Sequence, residues 1–297
     1  MVNLRQLVRR VPPSAAQSIK RFGVYFRYTL QMAACRAGYV RYGKEARVPL
    51  ILIAGLPKSG TTWVKKMLSS YPGYHPLLIP EATMYELDHG GSHDFELPVD
   101  VFQRFQDLLV VTKMHIHGSP HNTGLIHNAG IRYLVIYRDL RDVAVSYVHY
   151  VRRTPWHPQY AAYKPLSVEE GLRQFANHLL QPYVDWVRSW ETNRDPALSL
   201  VLKYEDLLCD PHSSLARAAA HFELDDSDST VRRIVAEHSF RTLSGGRQRG
   251  EENHESFYRK GESGDWVNHF TPELKKLYRK KIGDFLIRHD YEMDRDW

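Results

Sequence analysis

The stretch LILIAGLPKSGTTWVKKMLSS, residues 50–70, decides the fold. LILIAG follows Pro49 as a short unbroken apolar run, the signature of a strand buried on both faces of a parallel sheet. TTWVKKMLSS reads as a helix, stopped by Tyr71-Pro72-Gly73. Gly55 and Gly60 let the backbone between them turn tightly and approach a phosphate. The amides of Ser59 to Thr62 face an anion from the helix N-terminus, where the dipole favours negative charge. Thr61 and Thr62 add hydroxyl donors, and Lys58 adds a mobile charge. This is not a Walker A loop, which ends Gly-Lys-[Ser/Thr]. Here Thr61 follows Gly60, and Lys58 stands two residues before that glycine. The next apolar runs end in Lys113 and Arg138, not in the acid that would hold magnesium.

Outward from this stretch, LLVVTK (108–113), YLVIY (133–137) and LSLVLKY (198–204) read as further strands. RDVAVSYVHY reads as a helix. Ser167 and Glu170 form an S-x-x-E capping box that opens another. It runs through Phe175, Leu179 and Trp186, with a kink expected at Pro182. Thr271-Pro272-Glu273 starts a last helix, with Leu274, Leu277, Tyr278, Ile282, Phe285 and Leu286 as its apolar positions. Alternating strands and helices give an α/β class: a single domain with a central parallel sheet flanked by helices, built on a P-loop-like phosphate-binding strand-loop-helix. Ligands then sit at the carboxyl ends of the strands.

The chain has 297 residues and a formal charge of +6. The charge is uneven: residues 1–47 hold ten Lys/Arg and one acid, and the remainder is slightly acidic. A pI near 9.1 is therefore no sign of nucleic-acid binding, and none is expected. Residues 1–47 read as a basic amphipathic extension and 48–297 as the catalytic domain. In the extension, Leu4, Leu7, Val8 and Val11 precede Pro12-Pro13. Phe22, Phe26, Leu30 and Ala33 then recur at helical spacing among Lys20, Arg21, Arg27 and Arg36. Two readings stand: contact with an anionic membrane or partner, or a helix whose apolar stripe serves the core and whose basic face is solvated. No run approaches a membrane span. MVNLRQLVRR lacks the apolar core of a secretory signal, and its Arg-rich character also suits an organelle transit peptide. Two distant cysteines, Cys35 and Cys209, suit a reducing compartment. The expected location is cytoplasmic, with peripheral membrane contact as the second expectation. No Cys/His cluster has zinc spacing, and no metal is expected.

PKSGTTW (57–63) resembles the 5′-phosphosulfate loop of the cytosolic-type sulfotransferases that use 3′-phosphoadenosine-5′-phosphosulfate (PAPS). YRDLRDVAVSYVHY (137–150) resembles their 3′-phosphate strand and helix. TKMHIH (112–117) resembles the strand end carrying their catalytic histidine. LKYEDL (202–207) and RKGESGDW (259–266) resemble two further blocks, and all five come in the family's order. The resemblance implies that Lys58, Ser59, Gly60, Thr61 and Thr62 hold the 5′-phosphosulfate. It gives Arg138, Ser146, Arg259, Lys260 and the Gly261 amide to the 3′-phosphate. It puts the adenine between Trp63 and Phe240, with Tyr204 and Ser239 near the base. Without it, Arg138 to Asp142 reads equally as a solvated charge run, and Trp63 as a core aromatic. The family's usual threonine is Met114 here, and Val267 stands where many members have lysine. His238 stands where a threonine often precedes the Ser-Phe pair. VNHFTPELKK lacks the family's dimer motif, so the oligomeric state stays open.

The implied chemistry is in-line displacement at sulfur. His115 serves as general base, Lys58 stabilises the leaving oxygen, Lys113 assists, and Ser146 restrains Lys58. A lone strand-end histidine is as a rule structural; the Lys-x-His context reverses that reading here. A P-loop small-molecule kinase and a membrane-associated, non-catalytic nucleotide-binding module are the rival readings. The acceptor is a hydroxyl or amine of a small molecule, lipid or glycan. Its pocket is expected in loops 72–105 and 151–165, with Trp156, Tyr160 and Tyr163 as stacking candidates.

Overall fold

The computed structural model describes residues 11–90 and 93–297. In chain order the elements are α1 (Pro13–Tyr42), β1 (Leu50–Gly55), α2 (Thr61–Leu68), β2 (His75–Pro76), α3 (Pro80–His89), β3 (Val110–Met114) and α4 (Pro120–Asn128). There follow β4 (Tyr133–Tyr137), α5 (Leu140–Val151), α6 (Tyr160–Tyr163), α7 (Val168–His178), α8 (Leu180–Asn193) and β5 (Ser199–Lys203). The chain closes with α9 (Tyr204–Cys209), α10 (Pro211–His221), α11 (Asp228–Glu237), α12 (Phe240–Ser244) and α13 (Pro272–Arg288).

The five strands form one parallel sheet in the order β2-β3-β1-β4-β5. β1 is central: Leu52 pairs with Thr112 on one side and Tyr133 on the other. All six of its residues are buried, which is why the run lacks a polar alternation. Successive side chains point to opposite faces. Leu50, Leu52 and Ala54 join the core layer that holds Val143, Phe175 and Trp186. Ile51 and Ile53 join the layer under α2 and α10, with Val64, Met67 and Leu215. β2 has only two residues, His75 and Pro76, and no apolar run announces it.

The expected kinked helix is two helices. The break falls at Leu179 (φ −116°), and Pro182 lies in the first turn of α8. There its missing N–H costs nothing, so the helical run is interrupted within the turn before the proline, where a kink is expected. The capping box stands as expected: Ser167 accepts from the Glu170 amide, and Glu170 accepts from the Ser167 amide.

α1 is seated by close backbone approach. A Cβ on Gly38 would stand 2.0 Å from the Gly73 carbonyl oxygen, so glycine is required there. The Leu109 amide donates to the Cys35 carbonyl, and the Leu78 amide to Gln31 Oε1. Ala16, Val24, Cys35 and Gly38 face inward. The stripe expected to serve the core faces outward instead: Phe22 is 82% exposed, Phe26 64% and Leu30 57%. Lys20, half-buried, and Arg27, exposed, both drawn with the basic face, line an open cavity. Leu4, Leu7 and Val8 lie outside the described residues. Among the described residues no helix is long and apolar enough to cross a membrane.

Candidate active site

The carboxyl ends of β1, β3, β4 and β5 open into one cavity of about 440 Å³. The chain leaves β1 towards β3 and leaves β4 towards β5, so the crevice lies where the connections diverge. Lys58 follows β1, Lys113 and His115 lie at the end of β3, Arg138 follows β4 and Tyr204 follows β5; all line the cavity.

The phosphate loop has left-handed backbone at Lys58 (φ +69°) and Gly60 (φ +80°). A Cβ on Gly60 would stand 2.7 Å from the Tyr204 ring, and one on Gly55 1.9 Å from Thr61 Cγ2. Both glycines are therefore steric requirements of the loop. The Ser59 amide is already bonded to the Leu56 carbonyl at 3.2 Å, and the Trp63 amide to Gly60 at 2.8 Å. The donors left for an anion are the amides of Gly60, Thr61 and Thr62, which have no acceptor earlier in the helix. The Ser59 hydroxyl is buried with no partner among the described residues. The Lys58 ammonium lies 4.1 Å from the centre of the Tyr150 ring and 5.2 Å from that of Phe257. It makes no hydrogen bond to Ser146, one turn of α5 before Tyr150, although both line the cavity. Burial, and then the charges of Arg153, Lys113, Arg138 and Arg259, lower its pKa to about 7.

Residues 138–142 are not a solvated charge run. Arg138, Asp139, Arg141 and Asp142 are all buried. Arg141 forks onto Asp139, reaches Glu292, and lies against the rings of both Trp266 and Trp297, which meet edge-on. Arg138 stacks on Tyr204 at 4.2 Å and donates to Asp142 and to the Glu262 carbonyl, both at 2.9 Å. Its Nε is buried and unpartnered among the described residues. Asp142 also accepts from the amides of Gly264 (2.7 Å) and Trp266 (3.0 Å). That carboxylate ties the RKGESGDW loop to the β4–α5 turn. Arg259 and Lys260 line the cavity, with their charged ends on Asp265. Burial raises the Asp265 carboxyl. Hydrogen bonds from His269, Lys260, Arg259 and Asn268 outweigh it and hold the group well below the usual range. Gly261 packs on the Phe240 ring, where a Cβ would come within 2.4 Å.

Trp63 and Phe240 both line the cavity. The Trp63 indole donates to the His238 carbonyl at 2.8 Å, while the His238 ring meets Ser70 at 2.7 Å. Ser59 and Ser239 are not on the cavity wall. Ser239 caps α12, accepting from the Thr242 amide.

His115 has a defined tautomer. Its Nδ1 faces the Gly55 carbonyl at 2.5 Å, an acceptor only, so Nδ1 carries the proton. Nε2 then holds the lone pair, and the Lys113 ammonium lies 3.1 Å from it. Burial, then Lys113 and the His93 ring, lowers its pKa well below the ordinary value, so it is a neutral base at pH 7. The Trp186 indole fixes the strand end by donating to the His115 carbonyl at 2.9 Å.

The two loops expected to shape the pocket contribute Leu77 to Leu87 and His93, and Trp156 to Pro158. Tyr160 and Tyr163 do not reach the cavity; Tyr163 packs behind Tyr147, edge-on at 5.6 Å. Sequence reasoning missed Tyr147, Tyr150, Tyr183, His93 and Glu86 on the wall. Both His93 nitrogens and the Tyr147 and Tyr183 hydroxyls are buried without a partner among the described residues. Burial raises the Glu86 pKa to about 6, against the pull of Lys113, the His115 amide and Lys20. Among the described residues one trio, His149, Glu252 and His254, brings possible metal ligands within 4.8 Å of one another. Glu252 there is already bonded to Arg259.

The sulfotransferase domain family model matches residues 49–286. The chain belongs to the sulfotransferase family. It is similar to the rat sulfotransferase 1 family member D1, 26% identical over 84% of this chain and 88% of that one. It is similar also to the flavonol 4′-sulfotransferase of Flaveria chlorifolia, 26% identical over 96% of this sulfotransferase and 95% of that one. Among solved structures, a mouse sulfotransferase complexed with PAP superposes with a TM-score of 0.57 at 22% identity, covering 82% of this chain and 88% of that one. A retinol dehydratase with androsterone and PAP gives 0.56 at 20% identity, covering 84% and 85%. These two likenesses bear on the fold.

Proposed function

We propose that this sulfotransferase takes the sulfuryl group from PAPS and passes it to a hydroxyl or amine of a small acceptor. The observation that carries the reading is the meeting of Lys58, Lys113, His115 and Arg138 in one cavity at three adjacent strand ends. The Gly60, Thr61 and Thr62 amides with Lys58 suit the 5′-phosphosulfate. Arg138, Ser146, Arg259, Lys260 and Gly261 suit the 3′-phosphate, and the buried Arg138 Nε is a donor such an anion would fill. Trp63 and Phe240 suit the adenine. The acceptor oxygen bonds to sulfur as the bond to the donor's bridging oxygen breaks. The electron pair leaves with adenosine 3′,5′-bisphosphate (PAP), and the acceptor proton goes to His115 Nε2. The acceptor hydroxyl must first displace the Lys113 ammonium from that lone pair. Lys58 and Lys113 then stabilise charge on the leaving oxygen.

The kinase reading is not favoured, because the loop lacks Gly-Lys-[Ser/Thr] and Asp139 after β4 is committed to Arg141. Retinol, androsterone and flavonols, the ligands or acceptors named for similar proteins, support a small acceptor. An assay with radiolabelled PAPS across phenols, steroids, amines and glycans tests the reading. Tight binding of magnesium ATP with none of PAPS or PAP refutes it.

The outward apolar face of α1, together with Arg5, Arg9, Arg10 and Arg36 in the sequence of the same extension, supports peripheral contact with an anionic membrane, in a cytoplasmic setting. Flotation with phosphatidylserine vesicles should exceed that with phosphatidylcholine, and Phe22→Ser/Phe26→Ser should abolish it. Equal flotation of the variant refutes this contact.

A further inference from the structure

The cavity holds two groups of cations that meet at Lys113. The charges that bear on Lys58 are Arg153, Lys113, Arg138 and Arg259, the group suited to the donor. Those that bear on Lys65 are Lys113, Arg27 and Lys66. Lys65 on α2, with Lys20 and the exposed Arg27 of α1, lines the same cavity as Lys113. Against these four cations, the carboxylates lining the cavity among the described residues are Glu86 and Glu262, and Glu262 is paired with Lys260. Burial, then Lys113 and Arg27, lowers the Lys65 pKa to about 7, a state that an anion would reverse. Across the cavity stand Tyr147, Tyr183 and Trp156.

We propose that the acceptor is itself an anion: an alcohol or phenol bearing a carboxylate, sulfate or phosphate that Arg27 and Lys65 hold while its hydroxyl faces His115. This deepens the sulfuryl-transfer reading and rests on it. Guanidinium and ammonium donors in a half-dry wall bind such groups through charge-assisted hydrogen bonds. The same wall repels an ammonium, so amine acceptors are disfavoured.

Calorimetry on the full chain, with and without PAP, tests this with matched probes. These are 4-hydroxybenzoate against its methyl ester, glucose 6-phosphate against glucose, and phosphatidylglycerol against diacylglycerol in detergent micelles. The charged member of at least one pair should bind about tenfold or more tighter. The responding pair separates a soluble ester from a lipid headgroup. Arg27→Gln/Lys65→Gln should erase the preference while PAP affinity stays within roughly threefold. Should that variant not fold, Glu86→Gln decides, because losing the opposing carboxylate should tighten the anionic probe. Equal binding of charged and neutral members in every pair, or no tightening in Glu86→Gln, overturns the proposal. Absent PAP binding counts against the donor reading instead, and the probe titrations without PAP still judge the anion site.

Discussion

Asp142 is the residue whose loss should disconnect the donor site from its frame. Its side chain is 1% exposed and accepts from Arg138, the Gly264 amide and the Trp266 amide at 2.7–3.0 Å. Asparagine has nearly the same shape but one accepting oxygen and no charge. In Asp142→Asn, at least one of the three donors faces an NH2 group. One lost hydrogen bond to a charged group costs about 1.5–3 kcal/mol. The Arg138 guanidinium, left buried without its counterion, brings the total to about 3–5 kcal/mol. For a domain of this size that lowers Tm by on the order of 10 °C. Function should suffer separately, because the pinned loop carries Arg259, Lys260 and Gly261. PAP affinity should fall by roughly tenfold or more, since freeing this loop loses at least one charge-assisted contact. Differential scanning calorimetry and PAP titration read the two effects. A variant that melts within about 2 °C of the parent and binds PAP within about twofold refutes the assignment of Asp142 as the tie.

Three further outcomes follow from the same geometry. With Lys58 near pKa 7 in the free protein, a bound phosphate should raise it, so PAP binding takes up about half a proton at pH 7 and nearly one at pH 8. Affinity should weaken as pH rises above 7; titrations in buffers of different ionisation enthalpy measure the uptake, and its absence at pH 8 contradicts the role of Lys58. His115→Gln should lower kcat by roughly 10²–10⁴-fold with PAP affinity retained. Because the His115 pKa lies below the ordinary value, the parent's acid limb in kcat should lie well below pH 6.5, the histidine staying neutral and competent down to that point. Gly55→Ala should abolish PAP binding, with partial recovery in Gly55→Ala/Thr61→Ser, which removes the methyl group 1.9 Å from the new Cβ.

Residues 50–70 disclosed the architecture because a doubly buried strand and a loop obliged to turn at two glycines leave little freedom in composition. β1 and β4 are buried along their whole lengths, and their apolar runs match the observed strands residue for residue. β2 escaped because two residues pairing at a sheet edge need no pattern. The cavity wall was readable where one block of chain contributes several lining residues, as in residues 57–63 and 259–262. It was unreadable where the cavity recruits single residues from distant elements. Glu86 and His93 sit in no pattern: Glu86 reaches the wall from α3, and His93 lies on it with its carbonyl accepting from the His117 amide just past β3. The Arg138–Asp142 pair was legible only as a local ion pair of the charge run, since Arg138 precedes α5 and Asp142 lies in its first turn. What it could not show is that Asp142 Oδ2 also accepts from the Gly264 amide and Oδ1 from the Trp266 amide, both more than a hundred positions away.

The inversion of α1 has a physical cause. An amphipathic sequence specifies two faces and says nothing about which one turns inward; the partner surface decides. Ordinarily the partner is an apolar layer and the aromatic stripe is buried. Here α1 borders a cavity whose neighbouring walls already carry Lys65, Lys113 and Glu86. An apolar side chain against those groups would leave them desolvated without partners, at a cost larger than that of exposing Phe22 and Phe26. Turning Lys20 towards the cavity gives Glu86 countercharge and keeps the cavity polar, while Ala16, Val24 and Gly38 seat the helix with little side-chain bulk. The exposed stripe is then the consequence of a polar interior.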